Sequence, residues 1–303
     1  MHHETSDAPP PATRRWTEDW LAVAIGLLVI ALALPILGGV DTFGWAAKTN
    51  VWTTLSKAVA PVAASRDGSP YQQLGGVASL GLTFLFLLVL MTVGARLLGA
   101  AAGRFALGFA VVFWLSYLCW IIGHYATIAA PPHDHKKYGI SWSMALTGES
   151  GYIFALLLGL FVGNFLPGVS RLLKEALRPE LYIKTAIVLL GVGVGVKAAD
   201  SAATQALTKQ ILIRGFCAII EAYLIYWPIV YFVARRFFRF SREWAAPLAS
   251  GISICGVSAA IATGGAIRAR PIVPVMVSSL VVIFAVVELL LLPFVAQQWL
   301  YHE

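Results

Sequence analysis

The sequence predicts an all-α polytopic membrane protein. Of its 303 residues, 59% are apolar and only 12% are charged, and the mean hydropathy is +0.78. This composition is too apolar for a water-soluble domain. About eight runs are long enough, or nearly so, to cross a hydrocarbon core of about 30 Å as helices. These predicted segments are residues 18–39, 75–98, 104–129, 151–166, 182–199, 210–234, 244–266 and 272–296.

Three regions are predicted along the chain. Residues 1–16, MHHETSDAPPPATRRW, are polar and proline-rich, which indicates a disordered cytoplasmic tail rather than a cleavable signal. Residues 17–150 form a three-span region with long extracytoplasmic loops, and Thr17 with Glu18 predicts a capped helix start. Residues 151–303 contain the remaining segments. The run 151–166 is short, so it either extends backward or is one arm of a bent element.

The distribution of charge predicts orientation and excludes one class of partner. The formal net charge is +7, but the basic residues lie mostly between apolar runs, as membrane topology requires. We therefore expect no nucleic-acid binding. The short basic loop ARRFFRFSR, residues 234–242, is typical of a cytoplasmic loop, which places the N-terminus in the cytoplasm. The same count of crossings places Arg268 and Arg270 on the opposite face.

The seventh predicted segment is interrupted by small and polar residues. Its sequence, PLASGISICGVSAAIATGGAIRARP, predicts a broken helix at about residues 247–266. Gly251 and Gly256 would loosen the backbone, Ser253 and Ser258 would supply hydroxyls, and freed N–H groups would face a cavity suited to an anion. The alternative is that the small residues serve only for close helix packing.

Four further polar residues lie in or beside the apolar runs. Glu221 and Glu288 are deep in their segments, where a carboxylate either carries a proton or is a hydrogen-bonded structural group. Lys184 lies near the start of its segment, where extension to the interface is favoured over a substrate role. Asn164 either caps a helix or belongs to the site. All four are kept as secondary or proton-carrying candidates.

Metal, cofactor and enzymatic chemistry are not indicated. No pair of cysteines has metal-ligand spacing, and the HDH run at 133–135 is more typical of a solvated loop than of a metal site. No Ser/His or paired-Asp arrangement occurs at membrane depth, and Cys255 has no base evident in the sequence. We expect neither a metal nor a cofactor, and we expect that the protein is not an enzyme.

Three stretches carry a family resemblance: LLLGLFVGNFLPG, YIKTAIVLLGVGVGV and, most specifically, SGISICGVSAAIATGGAIRARP. They resemble the YeiH family, whose members are named as sulfate exporters, over roughly residues 150–300. The resemblance implies a fold like that of sodium/proton antiporters, in which two inverted repeats each contribute one broken helix. It assigns the break here to Ser253, Cys255, Gly256 and Ser258, and makes residues 151–303 a transport repeat.

The resemblance also implies a second repeat, and nothing after Arg270 predicts a second break. We therefore expect a partial chain, a second half supplied from elsewhere, or a homodimer. The expected function is a secondary transporter in the bacterial inner membrane that binds a small inorganic or organic anion and is coupled to protons. Gly251 to Ser258 would bind the anion, and Arg268 would attract it. The alternative is a non-transporting assembly or scaffold subunit.

Overall fold

The computed structural model describes residues 16–65, 68–146, 148–201, 205–270 and 272–300. The tail predicted to be disordered, apart from Trp16, lies outside these residues. Helices dominate the described chain, so the all-α prediction is confirmed. Two short strands, β1 (Ala47–Thr49) and β2 (Val59–Pro61), pair with each other in the loop after the first helix.

The helices begin and end close to the predicted segments. A π-helical turn, Glu221–Tyr226, lies between the helix that ends at Ile220 and the one that begins at Trp227. In chain order the α-helices are α1 (Glu18–Ala33), α2 (Gly76–Leu97), α3 (Ala102–Gly123), α4 (Ala126–Ala129), α5 (His135–Tyr138), α6 (Gly151–Phe165), α7 (Pro167–Leu173), α8 (Pro179–Ser201), α9 (Gln205–Ile220), α10 (Trp227–Arg236), α11 (Arg242–Ser253), α12 (Ser258–Ala266) and α13 (Ile272–Leu300).

Four described helical stretches are long and apolar enough to cross a membrane: Glu18–Ile36, Gly76–Leu97, Ala102–Gly123 and Ile213–Arg236. A fifth span results if the bent pair α6 and α7 is counted as one, since these helices meet at 114°. The short fourth segment is therefore an arm of a bent element. A polytopic membrane protein is confirmed, while the total of eight spans stays a prediction.

The first of two compact units comprises the described parts of residues 1–48, 59–115 and 162–192. Its core is a cluster of apolar side chains from α1, α2, α3 and the segment around α7 and α8, including Ile25, Phe105 and Leu181. Gly94 makes room for this packing, because a Cβ there would lie 2.9 Å from Ile25 Cδ1. The predicted division of the chain at residue 150 stays a prediction.

The second unit comprises residues 49–58, 116–161 and the described parts of 193–303. Its most informative element is formed by α11 and α12, which the sequence predicted as one broken span. The hydroxyl of Thr263 donates to that of Ser250 across 2.7 Å, although 13 residues separate them. In a straight helix they would be about 20 Å apart. The two half-helices therefore lie side by side, as a helical hairpin with its tip at Ile254–Val257.

The two ends of the hairpin that lie away from its tip, here called its outer ends, meet. The backbone N–H of Arg270 donates to Glu243 Oε1 at 2.5 Å, and the Arg270 guanidinium donates to both carboxylate oxygens at 3.1 and 3.2 Å. The arginines before α11 and those after α12 therefore share one end of the hairpin. This corrects the sequence-based placement of Arg268 and Arg270 on the opposite face, because that placement treated 244–266 as a crossing.

Candidate functional site

Small residues allow the two arms of the hairpin to pack closely. Ala245, Ala249 and Ala260 are fully buried, and a Cβ on Gly251 would lie 3.0 Å from the carbonyl oxygen of Gly256 and 3.6 Å from Ala260 Cβ. The sequence posed close packing and a broken helix as alternatives. Both occur together, because the break reverses the chain and the small residues then form the interface between its arms.

A polar network holds the arms in register. Ser250 is buried, and its hydroxyl accepts from Thr263 and also from Trp227 Nε1 of α10 at 2.9 Å. At the outer end, the backbone N–H and the guanidinium of Arg270 lower the pKa of the Glu243 carboxyl. These contacts join the two arms of the hairpin to each other and fix the hairpin to α10. The tip is therefore held in position from both sides.

The hairpin tip faces a cavity of about 630 Å³ that α13 closes on one side. Gly251, Cys255 and Gly256 line it from the hairpin, and Glu288 lines it from α13. The other walls are largely apolar and include the rings of Phe238, Phe240 and Phe284. Four of the predicted site residues, from segments more than 30 positions apart, are thus brought to one cavity.

The hydroxyl and thiol groups at the break differ in their hydrogen bonding. Cys255 Sγ and Ser258 Oγ form a hydrogen bond of 2.7 Å across the turn. Ser253 Oγ is buried and has no hydrogen-bond partner within the described residues. Ser258 opens α12, whose first N–H groups have no helical acceptors because the helix begins there. The break therefore carries helix-start N–H groups and, among the described residues, one hydroxyl without a partner; Ser253 and Ser258 themselves do not line the cavity that Cys255 shares with Glu288.

Other predicted residues lie elsewhere. Arg268 follows the C-terminal end of α12, and the nine residues of that helix separate it from the break by about 13 Å. Glu221 is exposed in the π-helical turn, where its carboxylate bonds the Tyr226 hydroxyl, and it does not line the tip cavity. The π turn had been missed, because its sequence, EAYLIY, is as apolar as the flanking α-helices.

Lys184 and Asn164 are also apart from the tip cavity. The Lys184 ammonium lies 2.5 Å from Asp19 Oδ1 and 2.7 Å from Glu180 Oε2 in the first unit. It is thus engaged in an ion-pair network with the start of α1. Asn164 lies at the end of α6, one residue before the last of that helix. Among the residues described, no group of three His, Cys, Asp or Glu is arranged to hold a metal ion.

Sequence reasoning missed several residues that shape the site. Ser250, Thr263 and Trp227 were not singled out, because their bonds depend on the reversal of the chain. Ser278 was also missed; it is buried on α13 next to Val277, which packs on the hairpin, and its hydroxyl has no partner in the described chain. The signal available was the pair of serines in the otherwise apolar run VPVMVSSLVV.

The described architecture defines a class: a multi-pass α-helical membrane protein with a discontinuous helix folded into a hairpin. Residues 135–302 match the family described as Conserved hypothetical protein 698. The chain belongs to this family, which comprises the UPF0324 membrane proteins and is the same as the YeiH family. The resemblance stated from the sequence is therefore confirmed.

Curated relatives agree with this assignment. A UPF0324 membrane protein of Nitrosomonas europaea is 42% identical over 277 residues, which cover 91% of this chain and 56% of that protein. One from Nitratidesulfovibrio vulgaris is 28% identical over 71% of this chain and 33% of its own length. One from Rhodopirellula baltica is 28% identical over 62% and 30%. The chain thus spans about half or less of these relatives. No solved structure gives a significant match.

Proposed function

We propose that the chain is part of a secondary transporter that moves a small anion across the bacterial inner membrane. The observation that carries the proposal is the hairpin tip, where a helix is interrupted beside a cavity that also holds a carboxylate. Interrupted helices are tolerated at membrane depth where they line a cavity, and transporters bind substrates at such breaks.

The groups at the tip suit an anion. The first N–H groups of α12 carry the positive end of the helix dipole. The hydroxyls of Ser253 and Ser258 and the thiol of Cys255 are further donors. Arg268 lies too far from the break to contact the same ion, so its proposed role is to raise the anion concentration at the outer end of the hairpin. Sulfate is the first candidate for this anion, because members of the YeiH family are named as sulfate exporters. Another small anion is the alternative.

Glu288 is the proposed proton carrier. An ionised carboxylate beside the tip repels an anion, whereas its protonated form does not. Anion binding therefore favours proton uptake by Glu288, which couples the two fluxes by reciprocal linkage. Glu221 is a second candidate for the carrier, since it lies near the middle of an apolar helix.

The hairpin supports a proposed orientation in the membrane. If both ends of α11–α12 lie on one face, Arg235, Arg236, Arg239 and Arg242 share that face with Arg268 and Arg270. The positive-inside rule then favours the cytoplasm for the six arginines, and the six predicted crossings before them would put the N-terminus on the same face. The second half of the transport site would come from residues that the longer relatives have in addition, or from a second copy of the chain.

The test is flux through proteoliposomes containing the protein in its natural full length. Labelled sulfate and sulfite uptake is measured with and without an imposed pH gradient. We expect Ser253→Leu to reduce flux by about tenfold or more, because a donor to a charged ligand is lost and the tip is filled. Ser279→Leu, which replaces an exposed serine on α13, is the matched control. Glu288→Gln should remove the response to the pH gradient. Unchanged flux in Ser253→Leu would reject the mechanism.

A second candidate is a non-transporting assembly subunit, favoured by the close packing of small residues in the hairpin. In that case the intact protein shows no flux of either anion. Ser253→Ala and Ser258→Ala are then silent in every assay, while Gly256→Leu disrupts the assembly seen by size-exclusion chromatography. The two candidates therefore differ in the behaviour of the serine variants.

A further inference from the structure

A second cavity, unrelated to the hairpin, lies in the first unit where α7 meets α3. Helix α7 turns away from α6 by 114°, which is nearer to perpendicular than to parallel. The segment is held against α3, since a Cβ on Gly108 would lie 3.0 Å from Ala176 Cβ and 3.1 Å from the Leu172 carbonyl oxygen. If α6 crosses the bilayer, α7 therefore runs along its surface.

The cavity has a volume of about 560 Å³ and is mainly lined by charged groups. Two of its basic groups are neutralised locally: Arg178 Nη1 lies 2.7 Å from Glu18 Oε1, and Arg104 Nη2 lies 3.5 Å from Glu175 Oε1. The remaining two are Arg171 and Lys174. Both are exposed, and neither pairs with a carboxylate among the described residues.

Arg171 and Lys174 thus leave the cavity with two positive charges that lack a counterion in the described protein. The guanidinium Nε of Arg171 donates only a long bond of 3.3 Å, to the Pro167 carbonyl oxygen. A guanidinium and an ammonium on one wall suit a phosphate, the first through its paired donors and the second as a point charge. The cavity is therefore suited to a phosphate group.

The surroundings of these charges favour a phosphate that carries acyl chains. Leu172 and Leu177 also line the cavity and are 37% and 57% exposed. Leu173 is buried and Ala176 belongs to the core cluster of the first unit, so the segment is anchored on one side and presents both leucines and basic groups on the other. An apolar rim beside a phosphate-binding wall at the membrane surface matches an anionic lipid.

We propose that this cavity binds the phosphate headgroup of an anionic phospholipid, with Arg171 and Lys174 as the principal contacts. The headgroup supplies the missing negative charge, and its acyl chains lie against Leu172 and Leu177. This site is independent of the proposed transport function, because none of its residues belongs to the hairpin or lines the tip cavity.

The experiment uses the full chain in mixed micelles with phosphatidylglycerol or phosphatidylcholine of the same acyl chains, and counts retained lipids by native mass spectrometry. The wild type should retain phosphatidylglycerol in preference. Arg171→Gln with Lys174→Gln should weaken this retention by about 30-fold, since each basic group near an anionic surface contributes about a fivefold factor. Arg171→Lys, which keeps the charge, should retain most of the binding.

Two controls separate the site from general attraction. Lys136→Gln with Lys137→Gln removes the same charge from α5, outside the cavity, and should leave retention unchanged. An equal loss in this variant would overturn the proposal. Inorganic phosphate is added as a competitor, and displacement of the lipid at equal concentration would identify a free-phosphate site instead. Folding of each variant is checked by its thermal unfolding temperature. We expect this temperature to be unchanged, because Arg171 and Lys174 are exposed.

Discussion

Within the stretch GISICGVSAA, individual residues have different tasks. Gly251 and Gly256 provide space, since a Cβ on Gly256 would lie 2.6 Å from Val281 Cγ1 of α13. Ser258 and Cys255 bond each other across the turn, while the Ser253 hydroxyl has no partner in the part of the chain that the structure describes. The composition of the stretch thus serves packing at some positions and leaves polar groups available at others.

The glycine contact gives a prediction at this scale. Gly256→Ala should destabilise the folded protein by about 1–3 kcal/mol, because the added methyl group overpacks against Val281. The measurement is thermal unfolding in detergent. Gly265→Ala is the matched control, since a Cβ at Gly265 meets no atom of the described residues within 4 Å.

The reason for the effect can be checked with a second substitution. If the clash is with Val281, Gly256→Ala should cost little in a Val281→Ala background, because the shortened side chain leaves room. Equal destabilisation in both backgrounds would mean that Gly256 acts through its backbone and not through this contact.

At the scale of elements, the pairing of α11 with α12 changes the topology. A crossing segment separates its two ends by the thickness of the membrane, whereas the Glu243–Arg270 contact joins them. The interruption at Ile254–Val257 is therefore a reversal of the chain rather than a kink. The two ends of the hairpin therefore lie together, and Gly251, Cys255 and Gly256 at and near its tip line the cavity.

This arrangement predicts that both ends of the hairpin are labelled from the same side. Single cysteines at Ser241→Cys and Arg268→Cys are made in a background with Cys217→Ser and Cys255→Ser, the two exposed native cysteines. A membrane-impermeant maleimide should label both positions in inverted vesicles only. Ser56→Cys, in the loop after α1, should be labelled in right-side-out vesicles. Labelling of positions 241 and 268 from opposite sides would contradict the hairpin.

At the scale of the whole molecule, the membrane covers surface that the protein does not bury itself. In the most apolar 18-residue part of the spanning stretches of α1, α2 and α3, only 17% to 22% of the residues are buried, and none is in that part of Ile213–Arg236, a stretch in which only Ala234 is buried. Such large apolar surfaces are incompatible with water. Lipid, or further protein within the membrane, must therefore surround these helices.

The prediction for this scale concerns a charge placed on such a surface. Leu224 is 69% exposed near the middle of Ile213–Arg236, and Leu224→Lys should cost about 3 kcal/mol of membrane insertion. The carbonate-resistant fraction of the protein should fall accordingly. Leu55 is similarly exposed, at 65%, but lies in the loop after α1, so Leu55→Lys should leave that fraction unchanged. An equal effect of both variants would contradict this assignment of the span.

The candidate site could be predicted in part. The interruption at 251–258 was found from composition, because small polar residues are unusual in an apolar run. Glu288 was also found, as an isolated carboxylate in such a run. Arg268 was predicted on the face opposite the arginines before α11, which the Glu243–Arg270 contact corrects, and Ser250, Thr263 and Trp227 were missed. The positions of these three residues depend on hydrogen bonds between residues 13 and 23 positions apart, which local patterns do not report.

The sequence by itself determined the all-α class, the membrane environment, the main apolar helices and the position of the break. These follow from composition and from runs of residues, which act through the hydrophobic effect and through local backbone preferences. Only the tertiary structure decided that the broken segment is a hairpin and that Cys255, Gly256 and Glu288 share a cavity. The physical reason is that a chain reversal is stabilised by contacts across its arms, such as Ser250 with Thr263 and Glu243 with Arg270, which exist only once the segment has folded.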